Sequence, residues 1–275
     1  WPLMTIGNVS SLVRLKFFFK SRANSMFDFI GKVVLITGGS RGLGKAMSEG
    51  FARAGAKVIV SSRKIEACKA VAKSINEAGG EAIALAANVG STQDLDQLKD
   101  DALTHYGHVD ILVNNAGINI AMGALTDLSP DAFDKMYQVN QRGPWYLASR
   151  LAPHMAENGG GVVINFLSVS ALKPPAFMGF YAATKAALEA LTKVMAQEWA
   201  PMNIRVNAIA PGSYHSDLTD GAIAAIPGFE EGIIDANLIK RIAASDEILN
   251  PVFYLAGESY TTGITLTADG GMMVK

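Results

Sequence analysis

Cysteine is almost absent from this chain: Cys68 stands alone, which rules out an internal disulfide framework. It falls within the helical stretch Ile65 to Ala78 and reads as an inert packing residue. Histidine is nearly as sparse, with only His105, His108, His154 and His215, and no His, Cys or acidic cluster has metal-ligand spacing. No apolar run approaches the roughly twenty residues needed to span a bilayer, so no membrane partner is expected. Neither sign of charge dominates. The net charge is −1 and no basic stripe appears, which argues against nucleic acid as a principal partner. What remains is a chain of 275 residues, a comfortable length for one α/β domain with a large core.

Glycine, by contrast, is concentrated where it carries meaning. Lys32 to Thr37 is a short apolar, β-branched run that reads as a buried strand. It runs directly into Gly38-Gly39-Ser40-Arg41-Gly42-Leu43-Gly44, and the helical stretch Lys45 to Ala54 follows. Glycines at a strand-to-helix turn let the backbone approach a phosphate, and the helix start then binds its charge. Gly39 to Lys45 nearly matches a P-loop, but Ala46 stands where a hydroxyl must ligate magnesium. Gly38 to Gly42 also fits the nucleophile elbow of hydrolases, yet no histidine has the downstream context which that chemistry needs. A dinucleotide site fits best, because a second strand, Lys57 to Ser61, follows at the right distance.

That second strand ends in Ser61-Ser62-Arg63-Lys64, without an acid to accept an adenine ribose 2′-hydroxyl. Ser62, Arg63 and Arg41 suit a 2′-phosphate instead, because guanidinium forks match phosphate oxygens. The expected cofactor is NADP(H) in preference to NAD(H). The plainer reading is a pair of solvated surface arginines.

Further strands are expected at Ala82 to Ala87, Ile111 to Asn114, Gly161 to Leu167, Arg205 to Ala210 and Ile264 to Ala268. Helical segments at Thr92 to His105, Pro130 to Glu157 and Tyr181 to Ala200 fall between them. The alternation predicts a single-domain Rossmann fold: a doubly wound, seven-stranded parallel sheet with helices on both faces.

Tyr181 and Lys185 lie four residues apart, so they share one helix face. A nearby cation favours a phenolate, and a tyrosine tuned this way acts as general acid or base toward a carbonyl or alcohol. The spacing alone is common. In register with the glycine turn it gains weight.

Taken together these motifs resemble the short-chain dehydrogenase/reductase family over about Phe27 to Gly271. Thr37-Gly38-x-x-x-Gly42-x-Gly44 resembles its cofactor turn, and Asn114-Asn115-Ala116-Gly117 its adenine-side motif. Asn140, Ser168, Tyr181 and Lys185 match its catalytic tetrad, and Pro211-Gly212 its nicotinamide loop. The resemblance implies proton transfer by Tyr181, a hydrogen bond from Ser168 to the substrate oxygen, and a ribose contact from Lys185 that also lowers the tyrosine pKa. It implies that Asn140 anchors a water chain. It also implies cofactor contacts from Gly38, Ser40, Arg41, Gly42, Leu43, Gly44, Ser62, Arg63, Asn88, Val89, Asn115, Ala116, Gly117, Tyr181, Lys185, Pro211, Gly212, Tyr214 and Ser216.

Four positions depart from the family pattern. Asn88 replaces an aspartate, Ser216 a threonine, and Tyr214 a smaller aliphatic residue where it would narrow the nicotinamide pocket. His215 reads as a solvated loop residue.

The implied activity is interconversion of a carbonyl and a secondary alcohol on a small-molecule substrate. Reduction of 3-oxoacyl thioesters and oxidation of sugars or polyols are alternatives within the family. A non-catalytic NADP(H)-binding sensor is the rival from another class. A cytoplasmic homodimer or homotetramer, built on the helices that hold Asn140 and Tyr181, is the implied assembly.

Leu218 to Arg241, rich in Ala and Ile and punctuated by Pro227-Gly228, reads as a substrate lid. Residues 1–25 carry Arg14, Lys16, Lys20 and Arg22 without an acid. They fit a transit segment, but translated upstream sequence or a misassigned start is the preferred expectation, with residues 26–275 forming the domain.

Overall fold

The computed structural model describes residues 27–275, so the expected extension over 1–25 lies outside the described residues. In chain order the elements are β1 Val33–Thr37, α1 Gly42–Arg53, β2 Lys57–Ser62, α2 Ile65–Glu77, β3 Glu81–Ala86 and α3 Thr92–Tyr106. Next come β4 Ile111–Asn114, α4 Pro130–Tyr137, a π-helical turn Gln138–Arg142, α5 Gly143–Glu157, β5 Gly161–Phe166 and α6 Gly179–Trp199. The chain finishes with β6 Ile204–Pro211, α7 Asp217–Ala225, α8 Phe229–Ala236, α9 Leu249–Gly257 and β7 Thr265–Ala268.

The strands form one parallel sheet in the order β3-β2-β1-β4-β5-β6-β7. Strand order reverses between β1 and β4, and the crevice at the strand C-terminal ends there is where such sheets bind ligands.

Side chains alternate across a strand, and β1 shows the result. Val34 and Ile36 enter a core with Met47 and Phe51 of α1, Val71 and Ile75 of α2, and Val252 and Leu255 of α9. Val33 and Leu35 face the other way, onto Leu95 and Leu98 of α3, Leu147 and Leu151 of α5, and Met195 and Trp199 of α6. Because both faces are covered, the strands read as unbroken apolar runs rather than alternating ones.

Several helix ends are set by sequence. Ser91 caps α3 by accepting from Asp94 N, and Gly107, at φ 79°, ends it in the left-handed conformation. Ser129 caps α4, with Pro130 in its first turn.

The structure corrects two expectations and adds two elements. The predicted helix Pro130 to Glu157 is interrupted by the π-turn around Asn140. α1 starts at Gly42 rather than after Gly44. The predicted lid is two short helices, α7 and α8, because Pro227-Gly228 breaks the chain between them. α9 was not foreseen at all, because LNPVFYLAG has no polar face to give it a period. Among the described residues no helix is long and apolar enough to cross a membrane.

Candidate active site

α6 carries Tyr181 and Lys185 into the crevice beside the end of β5. Lys185 is buried, and its Nζ donates to the carbonyl oxygen of Phe166, the last residue of β5, at 2.7 Å. The ammonium lies 5.9 Å from the Tyr181 ring centroid. Ser168, two residues beyond Phe166, accepts from Ser170 N at 3.1 Å and donates to Ser170 Oγ at 3.2 Å.

Asn140 reaches the same place from the π-turn, a local insertion that such helices often carry at functional sites. It is fully buried, its Oδ1 accepts from Ile118 N at 2.8 Å, and its Nδ2 donates to Ile118 O at 2.8 Å and Thr184 Oγ1 at 3.2 Å. Asn140 therefore fastens the segment after β4 to α6. Gly117 completes the enclosure: a Cβ there would lie 3.2 Å from Lys185 Nζ and 3.5 Å from Asn140 Oδ1. Glycine leaves that space open. The four predicted tetrad residues thus converge from β5, α6 and the π-turn.

Electrostatically the pair differs from expectation. Burial holds the Tyr181 phenol above its usual value, and the hydrogen bond with Ser168 only partly opposes this. Lys185 does not offset the burial, and its own ammonium is pulled from 10.5 down to about 8 by desolvation. Between pH 8 and 10.5 the unfolded chain therefore holds a proton that the folded chain lacks. By linkage, the stability lost to this group is fully lost below pH 8 and is regained as pH rises through that window. Wild type should gain stability relative to Lys185→Met between pH 8 and 10.5, as read by urea unfolding at both ends. A difference that stays flat with pH would show that the lysine titrates normally.

The glycine turn is built for close approach. A Cβ on Gly44 would stand 2.0 Å from Gly38 O and 2.7 Å from Asn115 Nδ2. Asn115 is itself committed to the turn, donating from Nδ2 to Thr37 O at 2.9 Å and Gly38 O at 3.2 Å. Its N–H and that of Ala116 donate to Thr37 Oγ1, so this motif braces the ends of β1 and β4. α1 begins inside the turn, at Gly42 and Leu43, and Arg41 supplies no side-chain cap. The first N–H groups of the helix are left for an anion.

At the end of β2, Ser40 Oγ donates to Ser62 Oγ at 2.9 Å. Ser62 Oγ in turn lies 3.0 Å from Cys68 Sγ, so the buried thiol supports this corner as well as packing. Arg63 is exposed and makes no hydrogen bond or ion pair among the described residues. Arg41 is not free: its Nη1 donates to Asp217 Oδ2 at 2.8 Å.

The remaining predicted positions are each fixed by local structure. The Asn88 side chain closes a local turn by accepting from Gly90 N at 3.1 Å, with Val89 between them. Tyr214 is buried, in the core cluster that holds Phe166, Ile209 and Ile248. The Ser216 hydroxyl caps α7, accepting from Thr219 N at 3.3 Å and donating to Thr219 Oγ1 at 3.2 Å. Pro211 ends β6, and Gly212 N donates to Ala268 O at 3.0 Å, fixing the loop that follows. His215 is exposed, as expected, and pairs with Asp220 at 2.8 Å.

Two participants were missed. Thr184, beside Lys185, holds Asn140; its place in the Tyr-x-x-Thr-Lys run was the available signal. Asp217 had none, because it meets Arg41 across 176 positions.

Bare backbone at the turn, an uncapped helix start, a free guanidinium and open space beside Lys185 together fit a phosphate-bearing dinucleotide. Comparison with known proteins agrees. The family model described as short chain dehydrogenase matches residues 32–225. The chain is 36% identical over 243 residues to 7α-hydroxysteroid dehydrogenase of Escherichia coli K12, covering 88% of this chain and 94% of that one. A solved 7α-hydroxysteroid dehydrogenase, complexed with NADH and 7-oxo glycochenodeoxycholic acid, superposes with a TM-score of 0.85 at 35% identity. That match covers 89% of this chain and 95% of the other. L-sorbose reductase from Gluconobacter frateurii, complexed with NADPH and L-sorbose, gives a TM-score of 0.86 at 31% identity, covering 90% and 98%. The chain belongs to the short-chain dehydrogenase/reductase family and is a pyridine-nucleotide-dependent oxidoreductase acting on CH–OH groups.

Proposed function

We propose that the protein interconverts a carbonyl and a secondary alcohol with NADP(H), using Tyr181 as the proton donor and acceptor. The observation that carries this is the convergence of Tyr181, Ser168, Asn140 and buried Lys185 beside the open space at Gly117. When bound, the nicotinamide supplies or accepts the hydride. Tyr181 gives its proton to the substrate oxygen during reduction and takes one during oxidation. Its raised pKa keeps it protonated at neutral pH, which suits the reductive direction. Ser168 hydrogen-bonds the same oxygen and sets its position. Lys185 and Asn140 share the space beneath Gly117, where a lysine near its own pKa can return a proton toward the phenol.

The turn from Gly38 to Gly44 would hold the pyrophosphate, and Ser62 and Arg63 the 2′-phosphate. Relatives are known with NADH and with NADPH, so the choice rests on the end of β2, which offers Arg63 and no acid. A charge-assisted contact to phosphate is worth about 1.5–3 kcal/mol. Arg63→Ala should therefore weaken NADPH roughly ten- to a hundredfold and leave NADH nearly unchanged, by direct binding titration. Equal losses for the two nucleotides would sink the assignment.

For substrate we favour an apolar carbonyl over a sugar. Phe177, four residues before Tyr181, is exposed, as are Ile120 and Met122 on the segment joined to it and Leu238 and Ile239 after α8. Gly123 N donates to Phe177 O at 2.9 Å, which joins the first two segments, and Ile239 N donates to Gly270 O at 2.9 Å, which ties the third to the turn after β7. α7 and α8 follow the nicotinamide loop and would cover such a substrate. NADPH oxidation against apolar ketones, 3-oxoacyl thioesters and sugars tests this reading, and turnover confined to sugars would overturn it. Exposed Trp145 on α5 and Val194 on α6 support an assembly through those helices.

A further inference from the structure

Of the two guanidiniums assigned to the 2′-phosphate, Arg63 is free and Arg41 is held by Asp217 at 2.8 Å. Asp217 is the first residue of α7, just after the capping Ser216. The other carboxylate of that turn, Asp220, is taken by His215 Nδ1 at 2.8 Å, which leaves Asp217 to face the cofactor turn. The backbones are close as well: a Cβ on Gly42 would lie 3.3 Å from Ser216 Cβ. On its other side Arg41 adjoins Ser40, whose hydroxyl reaches Ser62 at the end of β2. Arg41 therefore has two anion positions within reach, the fixed carboxylate and the expected 2′-phosphate.

We propose that Asp217 is a specificity-determining residue that competes with the 2′-phosphate for Arg41 and so moderates the preference for NADP(H). The proposal rests on the NADP(H) reading above. NAD(H) makes no demand on Arg41 and leaves the pair intact, whereas the 2′-phosphate of NADP(H) draws on the same guanidinium that Asp217 holds through Nη1. A phosphate, with more charge and more acceptor oxygens, outcompetes one carboxylate. Both side chains are more than half exposed, so the pair is screened and opposes NADPH by no more than about fivefold. The same exchange unties the start of α7 from the cofactor turn in one nucleotide complex and keeps it tied in the other.

The test compares dissociation constants for NADPH and NADH in wild type, Asp217→Asn and Asp217→Glu. Asp217→Asn should tighten NADPH by about two- to fivefold and leave NADH unmoved. Asp217→Glu should restore the wild-type ratio, and the gain should vanish when Arg41→Ala is added. A change shared equally by both nucleotides, or a gain that persists without Arg41, would overturn the competition and leave Asp217 as a helix-start residue. Arg63→Ala separates the two levels. If it moves neither nucleotide, the NADP(H) reading fails and takes this proposal with it. If it selects against NADPH while Asp217→Asn leaves the ratio fixed, the competition alone fails.

Discussion

Tyr181→Phe should lower kcat by roughly 10²- to 10⁴-fold while nucleotide affinity stays within about twofold. The substitution removes one oxygen and leaves the ring, so the helix face and its packing survive. The lost atom is the one that Ser168 addresses and that the proposed reaction uses to exchange a proton with the substrate oxygen. Burial makes that hydroxyl costly to ionise, so it stays protonated and ready to donate at neutral pH. Lys185 remains, but its Nζ is held by Phe166 O at 2.7 Å and lies 5.9 Å from the ring centroid. Single-turnover NADPH oxidation, with nucleotide binding titrated in parallel, reads the two effects separately. Turnover that persists at wild-type level would remove Tyr181 from the chemistry. A large loss of affinity would recast it as a cofactor-holding residue.

The second large effect is expected at Gly44. Gly44→Ala sets a methyl 2.0 Å from Gly38 O and 2.7 Å from Asn115 Nδ2, and neither can yield freely. Gly38 is backbone, and Asn115 is tied to Thr37 O and Gly38 O, so relief must spread to the ends of β1 and β4. Overpacking of this kind costs about 1–3 kcal/mol, and more where backbone must shift. A fall in Tm of several degrees should result, at about 2–4 °C per kcal/mol for a chain of this size. Nucleotide affinity should drop about a hundredfold or more, because the phosphate-facing N–H groups move with the turn. Gly221 in α7 is the internal control, since a Cβ there meets nothing within 4 Å. Gly221→Ala should be neutral or slightly stabilising. Wild-type nucleotide binding by Gly44→Ala would show that the turn is not the phosphate cradle.

Much of this was readable in the chain because burial on both faces makes a parallel strand conspicuous. Leu35 and Ile36 sit on opposite faces of β1, yet both are apolar, and the same holds for Val163 and Ile164 in β5. The candidate site residues could be named for a different reason, since each proposed chemical role admits few residue types. Three features were hidden. Regular helix periodicity carries across Tyr137 to Gly143, so the π-turn leaves no compositional mark. The glycines of the turn disguised the true start of α1 at Gly42. The Arg41–Asp217 pair joins residues that only the folded sheet brings near each other. Burial likewise reversed the expected direction for Tyr181, because a charge pair can be read from spacing and a desolvated pocket cannot.

The π-turn also makes the site and the core separable. A wide turn of this kind absorbs one extra residue without turning the helix beyond it. Deleting one residue from Gln138–Arg142 would straighten the helix and leave the stripe of Leu147, Leu151 and Met155 buried against the sheet as it is now. Asn140 would lose its aim, because its hydrogen bonds to Ile118 and Thr184 are made from the widened turn. In this stretch a single-residue deletion would spare the core and disturb the site.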